Sequence, residues 1–218
     1  GNLFDDGEGM GACADATRGV WLGGNGSNTT IQYVTVASAG NAQDFGDLIS
    51  GGSLATACAD ATRGVVGSGQ FSDTIQSTGA STDFGNLSNS TFGKSACASE
   101  TRGIFAGGNA SNFIEYITIQ TTGNGTTFGA TFGRTPLYTG AACDDLSRGV
   151  MGGGDGSDNR LEYITIASTG TVTDFGDLVV ARDNTSACSD STRGVWAGGG
   201  GDLDHMDYVT IQSAGNAT

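Results

Sequence analysis

Residues 187–199 read ACSDSTRGVWAGG, and the phrase occurs four more times upstream: ACADATRGVWLGG (12–24), ACADATRGVVGSG (57–69), ACASETRGIFAGG (96–108) and ACDDLSRGVMGGG (142–154). The cysteines of the five copies, Cys13, Cys58, Cys97, Cys143 and Cys188, are separated by 45, 39, 46 and 45 residues. A second phrase fills the intervals, as in IQYVTVASAGNAQDFGDL (31–48) and LEYITIASTGTVTDFGDL (161–178). A period of this length, sustained along the whole chain, belongs to stacked supersecondary units and makes residues 1–218 one repeat-built domain, with repeats beginning near 12, 57, 96, 142 and 187.

Within each repeat the apolar residues come in short β-branched runs, such as Tyr33-Val34-Thr35-Val36 and Tyr163-Ile164-Thr165-Ile166, bounded by glycine and asparagine. These are strand signals, and no segment carries a helical period. Each repeat offers four strands: through Ala-Cys, through Arg-Gly-Val-Trp-Ala-Gly, through Tyr-Val-Thr-Ile and through Asp-Phe-Gly-Asp-Leu. Four strands per unit is a propeller blade, so the expected fold is all-β, a single five-bladed β-propeller of four-stranded blades. Repeat two is shorter between Gly67 and Asp73 and is expected to have a clipped loop.

The ends of the chain suggest closure. Leu3 precedes Cys13 by the same interval as Leu48 precedes Cys58, so Gly1-Asn2-Leu3 reads as the tail of a fourth strand, and residues 1–11 are expected to complete the last blade beside Tyr208-Val209-Thr210-Ile211. The Asp-Phe of that strand is absent from both ends, and the chain starts without methionine; both suggest a natural polypeptide that continues further or is processed.

The formal net charge of −14 repels polyphosphate and argues against nucleic acid as a partner. No apolar run approaches the roughly 18 residues of a membrane span, and no signal peptide is visible. Five cysteines at equivalent places in separate repeats are too far apart to pair and read as free thiols, each a small apolar residue in a tight spot. Free thiols point to assembly in a reducing cytosol. No CxxC spacing supports a metal, so neither metal nor cofactor is expected.

The turn between the first two strands is nearly constant. It carries Arg18, Arg63, Arg102, Arg148 and Arg193, preceded three residues earlier by Asp15, Asp60, Ser99, Asp145 and Asp190. An aspartate here can hold the turn through its own backbone while the arginine bonds to it or to nearby carbonyls. The other reading is a fivefold cationic ring for an anion. Loops on the opposite face vary from copy to copy, which is where recognition belongs in a repeat protein. Their candidate ligand-binding residues are Asn25, Asn28, Phe71, Asn109, Phe113, Asp155, Asp158, Arg160, Asp202, Asp204, His205 and Asp207. The aspartates offer oxygens to calcium without matching a known calcium-loop spacing, and the polar loops with an aromatic suit a sugar. With His205 the single histidine and no G-x-S-x-G elbow, the sequence does not read as an enzyme.

The strand Arg-Gly-hydrophobic-x-Gly-Gly, followed by a hydrophobic strand and an aromatic near the end of the unit, resembles the kelch-type propeller repeat. The wording TRG[VI][WF]AGG…YITIxSTGNxTDFGDL is similar to kelch-like repeats in structural proteins of tailed bacteriophages, particularly marine and cyanobacterial ones. That resemblance implies a non-enzymatic virion module on a fibre, tail or capsid appendage, assembled in the host cytoplasm and carried on the extracellular particle. Its partners would be other virion proteins or a host surface glycan, with no membrane insertion and with homo-oligomers in a larger assembly as an option. The alternative is a cellular or secreted lectin-like propeller with one sugar site per blade.

Overall fold

A computed structural model describes all residues except 6, 25, 69–70, 76–78, 134–137, 155–157 and 201–202, together with the side chains of 68 and 71–75. Among the described residues the protein is all-β and contains no helix. The first repeat forms β1 (Gly11–Ala14), β2 (Arg18–Leu22), β3 (Thr30–Thr35) and β4 (Gln43–Asp47), and the second β5 (Thr56–Ala59), β6 (Gly64–Ser68), β7 (Phe71–Ile75) and β8 (Thr82–Asn86). The third forms β9 (Lys94–Ala98), β10 (Arg102–Gly107), β11 (Phe113–Thr118) and β12 (Thr126–Thr131), the fourth β13 (Ala141–Asp144), β14 (Arg148–Gly152), β15 (Arg160–Thr165) and β16 (Thr173–Asp177), and the last β17 (Ser186–Ser189), β18 (Arg193–Ala197) and β19 (Met206–Thr210). Each repeat is an antiparallel meander in chain order, and β6 meets β7 across residues 69–70 alone, as the clipped loop of repeat two implies.

The sheets form a propeller arrangement in which successive first strands touch: β1 with β5, β5 with β9, β9 with β13 and β13 with β17. Four sheets have four strands; the fifth, β17-β18-β19, has three. The expectation of five four-stranded blades is therefore corrected to four. The fifth sheet stops short because its outer edge receives only Thr218, whose N–H and C=O exchange bonds with Tyr208 at 3.1 Å.

Burial on both sides of the second, third and fourth sheets explains the run-like rather than alternating apolar pattern of their second strands. Four separate hydrophobic cores lie one in each junction between neighbouring sheets. Phe45 and Leu48 fill the first with Val66, Phe84 and Leu87 the second with Phe105, Phe128 the third with Met151, and Phe175 and Leu178 the fourth with Trp196.

The Asp-Phe-Gly phrase builds the outer link between blades. The register of β4 on β3 skips Phe45, since Ile31 pairs with Gly46 and Gln32 with Asp44; the same bulge occurs in β8 and β16. A bulge bends the strand and re-aims its backbone. Phe45, Phe84 and Phe175 turn inward, while their carbonyls accept from Gly79, Gly123 and Gly215 of the next repeat at 2.5, 2.8 and 2.6 Å. The glycine that follows adopts φ of +144° at Gly85, and a Cβ there would stand 2.4 Å from the carbonyl oxygen of Gly123.

Residues 1–3 sit against repeat one in the way other fourth-strand tails sit against their successors. The Asn2 carbonyl accepts from Ala42 at 2.9 Å, as Asp47 does from Ser81 and Asn86 from Gly125. Closure is not present, however: among the described residues no pairing joins residues 1–3 to β19, and Leu3 stays 44% exposed where Leu48, Leu87 and Leu178 are buried. The analogy of Leu3 with Leu48 places it beside the following blade, but nothing in that spacing brings the fifth sheet round to it.

The two sides of one link separate cleanly by mutation. Gly85→Ala puts a Cβ on the Gly123 carbonyl in a left-handed backbone and should cost about 1–3 kcal/mol from strain alone. Gly123→Ala points into open space and should change stability by less than about 0.5 kcal/mol. Thermal unfolding checks both, at roughly 2–4 °C per kcal/mol for this size.

Candidate functional site

The constant turns are built for structure. Asp15 Oδ1 accepts from Thr17 N, Thr17 Oγ1 and Arg18 N at 2.6, 2.7 and 2.8 Å. Asp60, Asp145 and Asp190 make the same turn, and Ser99 does so with its hydroxyl, accepting from Arg102 N at 3.0 Å. The Thr17 hydroxyl and backbone N–H hold the Asp15 carboxyl below its usual range, and the Arg193 and Thr192 N–H groups do the same for Asp190.

The arginines reach away from these turns. Arg63, Arg102 and Arg148 donate Nη1–H across the junction to the carbonyls of Ile119, Ile166 and Ile211 at 3.0, 2.8 and 2.9 Å. Arg102, Arg148 and Arg193 stack on Tyr116, Tyr163 and Tyr208, 4.2–4.3 Å from the ring centroids. Arg18 lies farther out, 5.6 Å from Tyr33 and 5.8 Å from Phe45. Three of the five guanidinium groups thus spend a donor on a neighbouring backbone, which weighs against a cationic ring for an anion.

The cysteines sit in the same junctions. A Cβ at Gly103, Gly149 or Gly194 would lie 2.4, 2.5 or 2.3 Å from the sulfur of Cys58, Cys97 or Cys143. All five thiols are free. Burial pushes those of Cys58, Cys97 and Cys143 well above the ordinary range, and that of Cys13 up to about 12.

On the opposite face the β2–β3-type loops pack against the segments linking one blade to the next. Asn28 Nδ2 donates to Asp5 Oδ2 at 3.0 Å, Asn89 Nδ2 to Ser111 Oγ at 2.6 Å, and Asn109 N to the Phe92 carbonyl at 3.0 Å. Of the loop candidates, Asn109, Arg160, Asp204 and His205 are exposed. Asp158 and Arg160 neutralise each other at 2.8 Å, and His205 Nδ1 lies 3.5 Å from Asp204 Oδ1. Phe113 is a half-buried strand residue opposite Thr131. Asn25, Asp155 and Asp202 lie outside the described residues, as does the side chain of Phe71.

Asp207 is a correction. It lies in β19, buried, and accepts from Arg182 Nη2 at 2.7 Å and from Val179 N at 3.1 Å. Arg182 is itself buried, and its Nη1 donates to the carbonyls of Gly198 and His205, each at 3.1 Å. So enclosed, the pair lies away from the solvent-facing loops and fastens the last linker to the last sheet. Gln32, Glu115 and Glu162 occupy the same third-strand place and accept from linker N–H groups of Phe4, Ser88 and Gly133 at 2.6, 2.8 and 2.9 Å. The sequence signal for this series was a polar residue inside an apolar strand, in IQYVT, IEYIT, LEYIT and MDYVT.

Sequence reasoning also missed an aromatic pair on the loop face. Phe92 and Tyr138, from successive linkers, meet edge to face at 5.9 Å between centroids, and Phe92 remains 42% exposed. With the Asn109 backbone bonded to Phe92, this joins a flat apolar surface to amide groups on one face. The first strands and the residues before them line a central cavity of about 710 Å³. Among the described residues, no group of three or more His, Cys, Asp or Glu is placed to hold a metal ion.

No protein-family model matches this chain, and no curated protein matches its sequence.

Two measurements test these assignments. In native protein at pH 8, Cys58, Cys97 and Cys143 should resist a thiol reagent, whereas denatured, unreduced protein should titrate five thiols. The depressed carboxyls of Asp15 and Asp190 stabilise the fold above the unfolded value of about 3.9, and that contribution is lost as pH falls through their folded values. Melting curves between pH 5 and pH 2 should therefore fall less steeply in Asp15→Asn and Asp190→Asn.

Proposed function

We propose that this protein is a non-enzymatic attachment module of a virion, a β-propeller built from kelch-like repeats and displayed on a tailed-phage fibre, tail or capsid appendage. The observation that carries the reading is the contrast between its faces. Turns that repeat in every blade are consumed by hydrogen bonds within the scaffold, while the segments that differ present Phe92 and Asn109 to solvent, with Tyr138 half-buried against Phe92. An exposed aromatic beside amides suits the apolar face and hydroxyls of a sugar ring, so a host surface glycan is the favoured partner. A lectin with one site per blade is the second reading; a repeated site needs repeated residues, and among the described residues this aromatic pair occurs at one linker junction.

Calorimetric titration with host surface polysaccharide tests the proposal. Binding should weaken about 10-fold or more in Phe92→Ala and Asn109→Ala, the scale of about 1.4 kcal/mol that a central contact carries. Binding unchanged in both variants would remove this patch from the account. No binding to any surface glycan, together with absence from imaged particles, would remove the attachment role.

A further inference from the structure

The loop-face end of the central cavity is held by a collar of hydrogen bonds that runs from blade to blade. Gly93 N donates to the Leu54 carbonyl at 3.3 Å, Thr139 N to the Gly93 carbonyl at 3.0 Å and Asn184 N to Thr139 Oγ1 at 3.2 Å. Leu54, Gly93 and Thr139 occupy one place in successive repeats and adopt left-handed φ of 52°, 71° and 53°. A leucine and a threonine persist in that conformation only where their surroundings over-determine it. Phe92 and Tyr138 are the residues immediately before two of these collar positions, and the Tyr138 ring lies 2.7 Å from where a Cβ on Gly93 would stand. The aromatic pair therefore stands at the mouth of the cavity, and the mouth is fixed before a ligand arrives.

Below the collar, the wall contributed by the second, third and fourth sheets, each flanked by sheets of this chain, carries polar groups without partners. β5, β9 and β13 are the terminal strands of those sheets. Asp60, Ser99 and Asp145 donate N–H to the carbonyls of Arg63, Arg102 and Arg148 across the hairpin. Counting back by twos, Cys58, Cys97 and Cys143 bond to the second strand, and Ala57, Ala96 and Ala142 turn N–H and C=O toward the axis. Nearer the constant face such groups are taken: Ala98 N donates to Asp144 Oδ2 at 3.0 Å and Asp144 N to Ser189 Oγ at 3.2 Å. Ala57, Ala96 and Ala142 line the cavity and make no such bond among the described residues. Ser95 belongs to the same wall, is 3% exposed, and its Oγ has no hydrogen-bond partner. Buried polar groups are normally satisfied, so this wall is made to meet donors and acceptors. Lys94, the one charged residue among the described residues of this wall, gives its Nζ–H to the Thr91 carbonyl.

We propose that the glycan of the attachment reading, on which this inference rests, is held by its end: a terminal, uncharged sugar enters the cavity, and the unit behind it lies against Phe92 at the mouth. Sugar hydroxyls are donors and acceptors at once, which matches a wall offering N–H, C=O and a serine hydroxyl side by side. A glycan bound along its middle would lie across the mouth and leave those groups unmet, whereas a chain end reaches them. A carboxylated sugar would bring its charge against the wall's carbonyls and into the field of a chain with a net charge of −14. The cavity, about 710 Å³, falls within the roughly 300–1,000 Å³ of small-molecule sites, and the small side chains of Ala57, Ala96 and Ala142 keep it open.

Calorimetric titration of the full chain with the neutral fraction of host surface polysaccharide, intact and partially hydrolysed, tests this. Recognition of ends predicts that the protein bound per gram of polysaccharide rises in proportion to the number of chain ends. Ser95→Ala should weaken binding about tenfold while leaving the melting temperature unchanged or higher, because it removes a buried hydroxyl that has no partner in the protein. Ala142→Leu, which narrows the cavity, should weaken binding at least as much, and the acidic fraction should bind at least about tenfold less tightly than the neutral one. Saturation per gram that is independent of chain length overturns the inference. So does unmodified affinity in both cavity variants while Phe92→Ala loses binding, an outcome that leaves the attachment patch standing without the cavity. An acidic fraction bound as tightly as the neutral one overturns the assignment to an uncharged sugar. No binding of either fraction overturns the attachment reading itself and this inference with it. Ser95→Ala and the chain-length series decide the matter even if Ala142→Leu does not fold.

Discussion

The space left by one missing side chain governs how the sheets stack. At Gly103, Gly149 and Gly194 the absent Cβ is replaced by a cysteine sulfur from the sheet before, so close that any larger residue would force the sheets apart. That approach is what allows a guanidinium group to reach a backbone carbonyl across the junction and leaves the facing phenylalanines and isoleucines dry. Each fully buried side chain of this kind contributes roughly 1.5–3 kcal/mol. A four-stranded meander exposes apolar residues on both faces and has no core of its own, so its stability rests on neighbours held at this distance.

Around that contact lie two further fastenings at different radii. The bulged Asp-Phe-Gly strand ties the outer edge of a blade to the next turn through the phenylalanine carbonyl. A buried glutamine or carboxylate on the third strand ties the departing linker through its N–H groups, with Arg182 and Asp207 as the fully enclosed version. The oxygens that receive such bonds avoid the penalty of an unpaired polar group, whereas Glu115 Oε1 is buried without a hydrogen-bond partner. The consequence for function is that linkers and β2–β3-type loops are held at both ends, so their exposed side chains can vary without disturbing the scaffold.

The junction chemistry recurs where its partners are not in place: Trp21 and Val36 on the first sheet and Cys188 on the fifth keep the residue types of the internal junctions, although they are half-buried or exposed.

Strand positions, the turn-forming role of Asp15 and its equivalents, the unpaired thiols and the clipped second repeat were all legible in the sequence. Each is a local property: backbone preference, a side chain bonding two or three residues away, or a spacing repeated five times. The pairing of Phe92 with Tyr138 was not, because the two come from different linkers and meet only through the stacking of two sheets. Asp207 looked like a loop ligand beside Asp204 and His205; its enclosure depends on Arg182, which reaches it from the preceding linker. The count of complete blades and the fate of the N-terminus were likewise misjudged, since the matching interval of Leu3 and Leu48 says which blade follows them and nothing about how far the arc turns. Sequence alone determined the unit, its strands and the chemistry of its junctions, because those are written within one repeat. Tertiary structure alone decided curvature, closure and the composition of the loop face, because these arise from small rotations summed over successive junctions.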